Sequence, residues 1–194
     1  MARAVLWTSS VLHAVNHVSR HETQDSVRAV GSAIGQALGH PHAVRYDVTC
    51  GPHWCVRTLH LEVHGAASVR ATDHADGRGR WTGDDGAPLP DLDGCLDVKL
   101  SGTPFTNLLP IRRLRPAEGE CARVLVAYWR WPDLQPRRDE QRSTYLVAAR
   151  RSHTRRSVAA CSMTCWWTRT DGAGLSQPLT TAQSLTLALR RWGS

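Results

Sequence analysis

The chain has 194 residues, 41% of them hydrophobic, which suffices for one sizeable core and is short for two. Its net charge of +7 is unevenly spread: residues 1–145 carry 17 basic against 16 acidic side chains, whereas 146–194 carry seven arginines against Asp171 alone. The basicity belongs to the tail, so it does not mark the body as a nucleic-acid binder, and no nucleic-acid partner is expected.

Six cysteines, at 50, 55, 95, 121, 161 and 165, show no repeated zinc or disulfide spacing and read as reduced small hydrophobes. Trp7, Thr8, Ser9, Ser10 and His13 make the N-terminus too polar for a signal-peptide core. No apolar run approaches membrane-spanning length, so a cytoplasmic protein without stable membrane insertion is expected.

Ala4 to Trp7 reads as a first strand. Val11, Leu12, Val15 and Val18 recur at near-helical spacing, which predicts a short helix over 11–20, and Gly31 to Gly39 is ambiguous. Val44, Tyr46, Val48 and Cys50 alternate with polar residues as in a half-buried strand, and Gly51-Pro52 then turns the chain. Trp54 to His64 follows as the longest strand, with Arg57 on the same face as Leu59, Leu61 and Val63. Asp76-Gly77 and Asp85-Gly86 are hairpin signals around Trp81. A strand over 95–100 with one apolar face comes next, then a shaped loop between Pro104 and Pro110, whose prolines argue against a helix interior. Strands from Ile111 and over Cys121 to Trp131 close the series. The predicted class is mainly β: one strongly curved antiparallel sheet with few short helices.

The stretch Asp93 to Arg115 is the densest in residues with restricted roles. Its Gly94-Cys-Leu-Asp, Thr103-Pro-Phe-Thr-Asn and Leu109-Pro-Ile-Arg-Arg-Leu114 segments closely resemble the signature of a bacterial family called "putative glycolipid-binding" proteins. Weaker likeness runs from Trp7 through Trp54 and Arg57 to Gln141 and Tyr145. Lys99 and Leu108 depart from it, standing where the family usually has an acidic residue and a threonine. The resemblance implies an open half-barrel, similar to bacterial carriers that shuttle lipoproteins, and an amphipathic small-molecule ligand such as a glycolipid. It also implies a domain over 1–145, with 146–194 an atypical basic tail.

The candidate ligand-binding residues are Trp54, Arg57, Asp97, Thr106, Asn107, Arg112 and Arg113. Asp97 reads equally as a surface acid, as the partner of an arginine such as Arg113, or as a ligand contact. Arg57, and one of Arg112 and Arg113, would need a carboxylate or an anionic head group if they faced the concave side. Thr106 and Asn107 are turn-formers or ligand contacts. His60, Glu62 and His64 share a strand face, but histidines four residues apart in a strand are about 13 Å apart, too far to share an ion. No nucleophile motif, phosphate loop or dinucleotide fingerprint occurs, so no catalytic residue, metal or cofactor is expected. A non-enzymatic binder is the leading expectation; an enzyme or accessory factor orienting a small apolar substrate in the same cavity, and a structural interaction module, are the alternatives.

Residues 146–194 lack the strand, Asp-Gly turn and strand with which the family ends, and we read them as out of frame and poorly ordered. Shifted by two bases, Met163 to Thr168 encodes Asp-apolar-Leu-Val-Asp whatever the synonymous codons. Sequencing the gene should show an open alternate frame from the slip onward; an early stop in that frame removes the idea.

Overall fold

The computed structural model describes residues 2–9, 14–37, 40–65, 68–116, 121–130, 134–144, 146–148, 162–164 and 185–186. Seven strands form one antiparallel meander in chain order: β1 Ala2–Ser9, β2 Ala14–Glu22, β3 Val27–Ala37, β4 His40–Cys50, β5 Val56–His64, β6 Ser68–Ala75 and β7 Trp81–Gly83. The sheet is open and curved, not closed into a barrel. Alternation explains its two faces. Val18, Ala29, Val44, Val48, Leu59, Leu61 and Val63 are buried on one side, while the other carries polar ladders such as Arg28 with Asp47 and Arg70 with Glu62, each closing to 2.6 Å.

A second sheet has the order β10-β9-β8, from β8 Asp97–Leu100, β9 Cys121–Trp129 and β10 Pro136–Thr144. β8 and β9 are parallel, so the chain between them must cross over. It does so through a 3-10 turn, Phe105–Asn107, and one short helix, α1 Leu108–Leu114. Phe105 and Leu109 are buried in the same core as the inner face of the seven-stranded sheet. β11 Leu146–Ala148, β12 Ser162–Thr164 and β13 Leu185–Thr186 form a third, small antiparallel sheet. Most of the segment read as an out-of-frame tail lies outside the described residues.

Five local expectations are corrected. The strand read over 54–64 as the longest begins at Val56, after a 3-10 turn over Pro52–Trp54, and at 9 residues is shorter than β3 and β4 with 11 each. The helix over 11–20 is a strand from Ala14 onward: β-branched Val15 and Val18 pair across to Thr8 and Val5 on β1, and to Ile34 and Gly31 on β3. The ambiguous glycine-rich segment lies in β3 up to Ala37. The strand from Ile111 is helix α1, with Pro110 in its first turn, where the backbone N–H has no helical partner to lose. The strand over 95–100 is buried on both faces, with Cys95, Asp97, Val98 and Leu100 each 1% exposed or less.

The cover is fastened to the sheet by a buried polar knot. The Tyr46 hydroxyl donates to Asn16 Oδ1 at 3.1 Å and lies 3.2 Å from Thr103 Oγ1. Thr103 Oγ1 in turn accepts the Phe105 N–H, and the Asn16 amide donates to the Gly102 carbonyl. The Tyr46 ring stacks on Phe105 with centroids 6.2 Å apart. It reaches that position by lying over Gly31, its cross-strand partner, where a Cβ would overlap the ring. Gly31→Ala should therefore cost about 2–3 kcal/mol in denaturant unfolding, the scale of core overpacking. An unchanged midpoint would show that the ring does not sit there.

Candidate functional site

Asp97 and the crossover organise the candidate site. Asp97 has no solvent exposure, because β8 is covered on both sides. Its carboxylate receives a bidentate guanidinium: Arg113 Nη2 donates to Oδ2 at 2.6 Å, and Nε lies 3.2–3.3 Å from both oxygens. Burial pushes the Asp97 carboxyl up, and the Arg113 hydrogen bond and charge pull it partly back. Of the three sequence-level readings of Asp97, the pairing with Arg113 is the one the geometry makes. Successive helical residues differ by about 100°, so Arg112 and Arg113 diverge in α1 as they would have in a strand. Arg113 turns inward and Arg112 remains exposed.

Arg112 instead lies over the Trp54 ring, with Cζ 5.6 Å from its centroid. Arg20, from β2, lies 5.2 Å from the same centroid and pairs with Glu22 at 3.3 Å. Trp54 ends a 3-10 turn, Pro52–Trp54, at the register shift between β4 and β5. His53 and Trp54 both have φ of 64°, a left-handed conformation that is costly for residues bearing a Cβ, about 1–3 kcal/mol each. The turn is closed by Trp54 N donating to Gly51 O at 3.2 Å and Gly51 N donating to Cys55 O at 2.9 Å.

Arg57 shares strand parity with Leu59, Leu61 and Val63 but is exposed. It stands at the start of β5, where its guanidinium reaches over the turn beside Gly51 and donates to the Asp76 carbonyl. Thr106 is 2% exposed, and its hydroxyl accepts the Leu100 N–H, which gives it an internal task. Asn107 is half-buried; its N–H donates to the Pro104 carbonyl, and its side chain does not cap α1. Of the seven candidates, the structure gathers Trp54, Arg57, Arg112 and Arg113 around the 51–55 turn, with Asp97 behind them. Thr106 is turned into the core.

Sequence reasoning missed Arg20, which lay in a segment read as helix, and the Asn16–Tyr46–Thr103 knot, whose members are 30 and 57 residues apart. It also missed Asp73, which is 7% exposed with Trp129 beside it. Burial pushes the Asp73 carboxyl up and the Trp129 indole draws it partly back, yet Asp73 Oδ2 and Trp129 Nε1 lack a well-formed hydrogen bond. The histidines over 60–64 bond to neighbouring side chains on the outer face, and no cluster of metal-ligating residues occurs among the described residues. Cys50, Cys55 and Cys95 are free thiols. Cys50 and Cys55 lie near Asp97, and burial pushes both up, Cys50 to about 12. Thiols held protonated in this way are weaker nucleophiles than free cysteine.

The family model described as "Putative glycolipid-binding" matches residues 4–176. The chain belongs to that family. The match in this glycolipid-binding-family protein continues past Tyr145, where the motif likeness was read to end, so the family pattern includes part of the tail. The fold is similar to the crystal structure of a DUF1089 family protein from Pseudomonas aeruginosa, at 28% identity and a TM-score of 0.64, over 87% of this chain and 83% of that one. No curated protein matches the chain.

Removing Arg113 leaves a buried carboxylate without its partner. Arg113→Ala should lower unfolding stability by about 3 kcal/mol, the scale of a broken buried pair. The double variant with Asp97→Asn should lose less than the sum of the two single changes. Additive losses in denaturant unfolding would show that the two side chains are not coupled.

Proposed function

We propose that this family member is a non-enzymatic binding protein that holds an amphipathic small molecule, such as a glycolipid or lipid-like metabolite, against the apolar inner face of its curved sheet. The observation that carries the reading is the pairing of chemistries at one place. A buried apolar sheet face lies under a cover that runs from Thr103 to Leu114, and at the end of that cover arginines surround a half-buried tryptophan. An apolar wall beside a few polar groups is the usual build of a site for a ligand with an apolar body and a polar head. The family description supports the same ligand class.

The enzyme reading would require a nucleophile or base poised to react. The perturbed groups nearest the turn point the other way: the thiols are held protonated, and Asp97 is engaged by Arg113. No helix among the described residues is long and apolar enough to cross a membrane.

Native mass spectrometry of the protein purified without detergent should show an added mass that organic extraction removes and fatty-acyl analysis identifies. Repeated recovery of the bare chain from lipid-replete cells would count decisively against the reading.

A further inference from the structure

Among the described residues, charge around the 51–55 turn does not balance. Four guanidiniums approach it: Arg20 and Arg112 over Trp54, Arg57 beside Gly51, and Arg113, whose charge acts with that of Arg57 on the Cys55 thiol. Two of them have carboxylates, Arg20 with Glu22 and Arg113 with the buried Asp97. The other two meet only neutral groups among the described residues: Arg57 donates to a backbone carbonyl, and Arg112 rests on an indole. Both are exposed, one at each end of a turn whose backbone closes from Gly51 to Trp54.

The turn is also held in place more firmly than a solvated loop requires. Two consecutive left-handed residues, His53 and Trp54, persist only where surrounding contacts over-determine them. Those contacts are identifiable: α1 packs against the turn, Arg113 anchors α1 to β8 through Asp97, and Arg20 supports the ring from β2. Trp54 and Arg112 are therefore presented in a set geometry, with the Arg112 guanidinium over the ring at 5.6 Å, a contact that does not engage its N–H donors. A guanidinium in this position suits an oxyanion, because a cation–π contact does not use the N–H groups of its planar fork.

We propose that the 51–55 turn is a subsite for an oxyanion, a phosphate, sulfate or carboxylate, in which Arg112 and Arg57 supply the charge and Trp54 sets the orientation of Arg112. The proposal rests on the amphiphile-binding reading and deepens it: the ligand of the sheet face carries an anionic head, and that head is held at this turn. Arg113 is a positioning residue here, acting through α1.

The test uses the full chain and three probes, dodecyl phosphate and dodecyl maltoside below their micellar concentrations and inorganic phosphate, titrated by calorimetry at low and moderate salt. Dodecyl phosphate should bind at least tenfold more tightly than dodecyl maltoside, and the margin should shrink as salt rises. Arg112→Gln and Arg57→Gln should each lower dodecyl phosphate affinity about tenfold, the scale of one charge-assisted hydrogen bond, and should lower dodecyl maltoside affinity much less. Equal binding of the two detergents, insensitive to both substitutions, would overturn the anion subsite and leave the amphiphile reading standing. Binding of inorganic phosphate that Arg112→Gln abolishes, with neither detergent bound, would keep an anion site and remove the amphiphile. No binding of any probe would overturn both.

Discussion

The Asp97–Arg113 pair ties the crossover to the second sheet, and the arrangement of the candidate site depends on it. Asp97 is fully buried, so its charge needs a partner, and the only guanidinium paired with it among the described residues is that of Arg113 on α1. That demand sets how α1 is rotated about its axis. With Arg113 turned inward, the preceding residue must turn about 100° away, and Arg112 comes to lie over Trp54. The pair is thus a structural interaction whose consequence is read at the surface.

The second fastening is the hydroxyl of Tyr46. It joins β4 to β2 through Asn16 and to the start of the cover through Thr103, all three in a region closed to water. In such surroundings each bond is worth more than at a surface, and a single missing partner would leave a costly orphan. Burial also pushes the Tyr46 phenol up, so the hydroxyl keeps its proton and continues to donate. Between these two fastenings the cover contributes Phe105 and Leu109 to the core. The covering segment is accordingly tied by polar contacts at both ends and by apolar packing in the middle.

Much of the architecture was legible because alternation is a local property. The strand over 44–50, the strand read over 54–64 apart from its first two residues, the turn at Gly51-Pro52 and the turn at Asp76-Gly77 follow from residues adjacent in the chain. The helical reading of 11–20 failed because Val15 and Val18 satisfy a short helical spacing and a strand equally, and pairing with β1 and β3 decided between them. The strand read from Ile111 failed for a different reason. A proline excludes a helix interior but not a first turn, and where the helix begins depends on what α1 packs against.

The sequence by itself determined the mainly β class, the family, and which residue types stand near the Asp93–Arg115 stretch, since composition, period and motif are all carried by neighbouring residues. Only the tertiary structure decided what those residues do. It paired Asp97 with Arg113, enclosed Thr106 to receive a backbone N–H, left Arg57 and Arg112 exposed and brought Arg20 to Trp54 from a strand more than thirty residues earlier. Whether an arginine meets a carboxylate, a carbonyl, an aromatic face or water depends on which distant segments fold against it, and no periodicity in the chain records that.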